Sequence, residues 1–140
     1  MMVLVDTSVW SLALRRRARD LAPEQKRIRQ ELAELIREGR AQLLGVVRQE
    51  LLSGIRGETQ YEGLRADLRA FDDPRMTVDD YEEAGRAHNR CRARGVAGST
   101  IDFLVCAAAL RRDWPIFTTD QDFLRYARCL PIRLHHPRHR

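Results

Sequence analysis

Short apolar runs, each stopping at an acid or a turn, alternate with stretches of helical period along this chain, and that alternation constrains its fold most. Met2-Val3-Leu4-Val5 ends at Asp6 and reads as a buried strand. Pro23 and Glu24 open a helix in which Ile28, Leu32, Leu35 and Ile36 recur at the helical period, and Gly39 stops it. Gln42-Leu43-Leu44-Gly45 is a second strand candidate, followed by a helix from Val46 to Leu52. A further helix is expected from Thr59 to Phe71, broken by Asp72-Asp73-Pro74. Met76-Thr77-Val78 is a third strand candidate, and Asp79 and Asp80 can cap the helix after it, which runs to Arg94. Beyond a loop at Gly95–Gly98, Ser99 opens an apolar helix over 100–111. Pro115 to Thr118 is a fourth strand candidate, Asp120 to Arg128 a short helix, and Ile132-Arg133-Leu134 a last edge strand.

Strands that alternate with helices indicate an α/β fold with a central parallel sheet of four to five strands flanked by helices. Neither repeats nor a linker divide the chain, so residues 1–134 are expected to form one domain, with 135–140 as a basic tail. A chain of 140 residues can bury roughly 70% of its unfolded surface, enough for one core. The longest apolar runs, such as Phe103 to Leu110, fall far short of the ~20 residues that span a bilayer. Met1 to Asp6 lacks the basic start of a signal peptide, so a cytoplasmic location is expected. Cys91, Cys106 and Cys129 have no CxxC spacing, which suggests neither a thiolate zinc site nor a disulfide framework.

In parallel sheets chemistry gathers at the carboxyl ends of the strands. Asp6 and Asp120 each lie just past a strand candidate, and would be neighbours if the first and fourth strands pair. Glu50 falls early in the helix after the second strand, and Asp102 in the first turn of the helix that Ser99 opens. Four carboxylates at one sheet edge repel one another unless protonated or bound to cations. A hard divalent ion with oxygen ligands relieves that repulsion, and Mg2+ or Mn2+ is the natural candidate. Such a site can hydrolyse phosphodiesters, with Thr7 and Ser8 adding hydroxyls to the metal shell or to a phosphate. The net charge of +5, carried almost wholly by arginine, agrees with a polyanionic partner. Capping explains each acid separately: Asp6 before Thr7 and Ser8, Asp102 in a Ser99-Thr100-Ile101-Asp102 box, and Asp120 as an N-cap. Glu50 also fits an ordinary surface position. The shared edge is what favours a site.

These segments resemble a known family. Val3-Leu4-Val5-Asp6-Thr7-Ser8-Val9-Trp10 is similar to the opening of PIN domains, especially VapC-type toxins of VapBC toxin–antitoxin systems. Val47-Arg48-Gln49-Glu50-Leu51 with Gly54 resembles their second acidic motif, and Thr100-Ile101-Asp102-Phe103-Leu104-Val105-Cys106-Ala107 the third. Pro115-Ile116-Phe117-Thr118-Thr119-Asp120-Gln121-Asp122-Phe123 resembles the fourth, and the order and spacing agree over nearly the whole chain. The resemblance implies a PIN-like three-layer fold, with Asp6, Glu50, Asp102 and Asp120 around one or two Mg2+ or Mn2+ ions. Asp122 would support that site or cap a helix. Also implied are a homodimer, inhibition by an antitoxin, and cleavage of structured RNA such as tRNA.

The His135-His136-Pro137-Arg138-His139-Arg140 tail stands outside the family pattern and is expected to be solvated and mobile. Ile28, Leu32, Leu35, Ile36 and the Leu43–Leu52 segment could line a groove for an antitoxin helix or face their own core. A non-catalytic RNA-binding or scaffold module is the alternative function, disfavoured because pure binding gains nothing from an uncompensated acidic cluster. A phosphatase with Asp6 as nucleophile would carry an acid where Ser8 stands.

Overall fold

Val3, Leu4 and Val5 have no exposed surface, because their strand is sandwiched between two others and covered by helices. The computed structural model describes residues 1–15 and 17–138, so Arg16 of the basic run and His139 and Arg140 of the tail lie outside the described residues. Strand β1 (Val3–Val5) is central in a parallel sheet ordered β2-β1-β3, with β2 at Ala41–Gln42 and β3 at Ile116–Phe117. The register pairs Leu4 with Gln42 on one side and with Ile116 on the other. The expected α/β fold with a parallel sheet and flanking helices is present.

Helix α1 (Thr7–Arg15) follows β1 directly, and a single 3-10 turn at Ala18–Asp20 leads to α2 (Pro23–Arg37). Then come α3 (Gly45–Leu52), α4 (Glu58–Leu68), α5 (Val78–Ala93), α6 (Thr100–Arg112) and the short α7 (Asp122–Tyr126). No described helix is long and apolar enough to cross a membrane. Helix α6 is buried continuously from Phe103 to Ala109, and its alanines let it pack closely against its surroundings. Trp10 is fully buried, donates its indole N–H to the Val5 carbonyl at 3.1 Å, and meets the Phe71 ring edge-on.

Several sequence expectations are corrected. Met76-Thr77-Val78 is not a strand: Thr77 caps α5, its N–H donating to the Asp80 carboxylate at 2.8 Å. The second strand stops at Gln42, since Leu44 already adopts the N-cap position of α3. The last edge strand shrinks to a single parallel bridge between Leu134 and Ile116. The tail is also more ordered than expected through Arg138. His135 Nε2 lies 2.6 Å from Glu31, and Arg138 bridges Glu31 and Glu38 at 2.9 and 2.7 Å. Glu31 is a buried acid of α2, and one of its oxygens meets Arg138 as a charge contact without an aligned hydrogen bond. Docking the tail therefore offsets the cost of burying Glu31.

Asp80 is fully buried and clamped by Arg111 and Arg112, each at 2.8 Å. Hydrogen bonding from Arg112 above all holds its carboxyl well below the ordinary aspartate range. A lowered carboxyl contributes stability that is present above that range and lost only as pH falls through the lowered value. Asp80→Ala strands two guanidiniums and removes a cap. It should cost about 3 kcal/mol in urea unfolding at neutral pH, and a loss below about 1 kcal/mol would show that water replaces the clamp.

Candidate active site

Three short elements end at one place: β1 at Val5, β3 at Phe117, and the loop that enters α6 at Ser99. The chain turns from β1 into α1 at Asp6, whose carbonyl accepts the Val9 and Trp10 N–H groups. Its carboxylate, only 4% exposed, accepts the Ser8 hydroxyl at 2.9 Å and the Thr118 hydroxyl at 2.8 Å. Each hydroxyl also accepts a backbone N–H from the turn after β3: Thr119 donates to Ser8 and Asp120 to Thr118. Asp6 thus joins two strand ends through two hydroxyls, a role beyond simple capping.

Ser99 caps α6 by accepting the Asp102 N–H at 3.0 Å. The Asp102 carboxylate accepts the Tyr126 hydroxyl at 2.6 Å. Tyr126 is fully buried between the Phe103 and Phe123 rings, so it holds Asp102 from a fixed position. Asp120 is not the N-cap of α7, a position Gln121 takes, but one of its oxygens accepts the Asp122 N–H at 2.9 Å just before the helix. Even so, Asp102, Asp120 and Asp122 can each turn one carboxylate oxygen to within 4.8 Å of the others. Glu50 is exposed on α3 and accepts the hydroxyl of Thr7.

The sequence-derived acids are therefore divided. Asp102 and Asp120 meet in one group, where Asp122, expected only to support or cap, stands as a full member. Asp6 and Glu50 stand outside that group. Asp6 is nonetheless close enough for its charge to act on Asp102. Thr118 and Tyr126 were missed. Thr118 opens the T-x-D turn and could have been read as a hydroxyl beside the acids, whereas Tyr126 looks like any core aromatic. Ile28, Leu32, Leu35, Leu43, Leu44, Val47 and Leu51 all face the core, leaving Ile36 exposed. A cavity of about 580 Å3 lies elsewhere, with Leu14, Ile55 and Leu64 beside Arg56, Gln60 and Asp67 in its lining.

Burial pushes the Asp6 carboxyl up, against the opposing hydrogen bonds from Thr118 and Ser8. Burial also raises Asp102, with Tyr126 opposing and the charges of Asp6 and Asp120 adding to the rise. Oxygen donors alone, crowded and partly desolvated, suit a hard divalent cation. Asp102, Asp120 and Asp122 are the residues that could hold one.

The PIN domain family's sequence model matches residues 3–128. The chain belongs to the PIN domain family. Its fold is similar to that of FitAcB from Neisseria gonorrhoeae, at 18% identity and a TM-score of 0.75, over 97% of this chain and 98% of that one. VapBC2 from Rickettsia felis, bound to a DNA fragment from its promoter, is similar at 14% identity and a TM-score of 0.72, covering 96% and 98%. VapBC-1 from nontypeable Haemophilus influenzae gives 13% identity and a TM-score of 0.71, covering 96% and 97%. No curated protein matches at a significant level. In this PIN domain the shared edge of β1, β3 and α6 is where the acids gather.

Because Asp6 and Asp102 are raised, their contribution to stability is complete below the ordinary aspartate range and is lost as pH rises through the raised values. With chelator present, urea stability should therefore fall from about pH 4 upward, and less steeply in Asp6→Asn and Asp102→Asn. Mg2+ or Mn2+ at about 100 times its Kd should restore ~2.7 kcal/mol to the parent and much less to Asp102→Asn. Identical pH slopes in parent and variants would show that the acids are not strained.

Proposed function

We propose that this chain is a divalent-metal-dependent endoribonuclease, and the toxin of a toxin–antitoxin pair. The observation that carries the reading is the convergence of Asp102, Asp120 and Asp122 beside a buried Asp6 in a PIN domain. Asp102, Asp120 and Asp122 would hold Mg2+ or Mn2+, with Asp6 and Glu50 completing the acidic site. A bound divalent cation supplies acidification of water and neutralisation of charge on the phosphodiester.

The chain's own residues do the positioning. Ser8 and Thr118 fix the Asp6 carboxylate toward two hydroxyl donors, and Thr7 restrains Glu50, which is free to take a proton from an attacking water. Tyr126 anchors one Asp102 oxygen from the core and so fixes the orientation of its carboxylate. Exposed arginines meet the polyanionic backbone of RNA, structured RNA such as tRNA being the expected substrate.

The antitoxin partner is supported by the FitAcB and VapBC structures that share this fold, and the cavity that holds Leu14, Ile55 and Leu64 beside Arg56 and Asp67 would offer it a mixed apolar and charged seat. A homodimer, a cytoplasmic location, and a single domain over 1–134 carrying the 135–140 tail belong to the same reading. Incubation of the antitoxin-free protein with total cellular RNA and Mg2+ or Mn2+, with new ends mapped by sequencing, tests it. Cuts at few sites are expected, lost by at least ~100-fold in Asp6→Asn and Asp102→Asn, since several kcal/mol of charge stabilisation disappear. Folded protein that binds RNA without cutting it, whatever the cation, would make this a binding module instead.

A further inference from the structure

One aromatic side chain separates the acidic group from a cavity of about 310 Å3 lined by His88, Arg92 and the 95–98 loop. The link is Tyr126. Its hydroxyl donates to Asp102, and the same hydroxyl would lie 2.6 Å from a Cβ placed on Gly98, with Phe103 only 2.8 Å away. Only glycine lets the loop backbone approach these rings so closely, so cavity and acid are held in a constant relation.

The lining suits a nucleotide. His88 stacks nearly flat on Phe103, with centroids 4.6 Å apart and planes at 22°, and Phe103 follows Asp102 directly in the chain. Arg92 is exposed and lies against Asn89 Oδ1 and the His88 ring, each at 3.2 Å, with no carboxylate between them. Among the described residues no carboxylate pairs with Arg92, Arg94 or Arg128, whereas Arg48, Arg111, Arg112 and Arg125 all have acidic partners. A planar stack and an unneutralised guanidinium beside a phosphodiester site are the two elements that bind a base and its phosphate.

We propose that this cavity is a subsite for the RNA nucleotide next to the scissile phosphate, with Arg92 on a backbone phosphate and the His88–Phe103 stack against the base. The proposal rests on the ribonuclease reading above. It makes His88 and Arg92 binding residues that choose where the strand is cut, while the acids perform the hydrolysis.

The test uses the full chain, with Arg92→Gln, His88→Gln and Ala97→Trp, the last filling the cavity without removing any of its present packing. An RNA oligonucleotide carrying the mapped cleavage site is the probe. In chelator, fluorescence anisotropy should show affinity falling about tenfold, and Arg92→Gln should lower the salt slope by about one. With Mg2+, KM should rise by a similar factor and the base preference at one flanking position relax. kcat and the cation-induced rise in melting temperature should stay within about twofold of the parent.

Parent that cuts RNA, beside variants with unchanged affinity, KM and base preference, overturns the subsite alone. Variants losing kcat or cation stabilisation with KM intact overturn it too, since His88 and Arg92 would then only support Asp102. Normal RNA kinetics with lost antitoxin binding would assign the cavity to the protein partner instead. If the parent cuts no RNA with either cation, the ribonuclease reading and the subsite fall together.

Discussion

Placing the Asp6 carboxylate almost out of contact with water, at the end of the central strand, is the constraint on which the rest of the site depends. A buried carboxylate without partners is costly. Here Ser8 and Thr118 both donate to it, and both accept N–H groups from the turn that follows β3. The hydrogen bonds that make Asp6 tolerable therefore also dictate where the chain goes after β3, and so where Asp120 and Asp122 stand. Burial still outweighs those bonds and leaves the carboxyl raised.

Like charge compounds the burial. Asp102 feels Asp6 and Asp120, and the only donor the protein aims at its side chain from the core is the Tyr126 hydroxyl among the described hydrogen bonds. A fold selected for stability alone would disperse these acids. Their concentration at one edge is the kind of local strain that persists where a cation and a polyanionic substrate share a site.

Elsewhere the same problem is solved internally. Asp80 has two guanidiniums and a backbone N–H, and Glu31 is met by His135 and Arg138 of the tail. These acids have cations supplied by the chain itself; at the sheet edge only Asp122 does, through Arg125 at 2.7 Å, while Asp6, Asp102 and Asp120 have none among the described residues. That contrast separates structural carboxylates from those available to a ligand more sharply than exposure does, since Asp80 and Asp6 are both buried.

Much of this was legible in the sequence, because strand and helix periods are local properties. The apolar run into Asp6, the helix opened at Pro23 and the continuous apolar stretch after Ser99 all declare themselves within a few residues. Parallel pairing and the carboxyl edge as the place for chemistry follow from topology, and so Asp6, Asp102 and Asp120 could be singled out. Short apolar stretches such as Met76–Val78 misled, since the Thr77 cap on Asp80 is set by arginines thirty residues further along the chain. Tertiary structure alone decided that Asp122 joins Asp102 and Asp120, that Glu50 turns to Thr7, that Tyr126 holds Asp102, and that the tail docks on Glu31. Each of these depends on distances between side chains far apart in sequence, which no local period encodes.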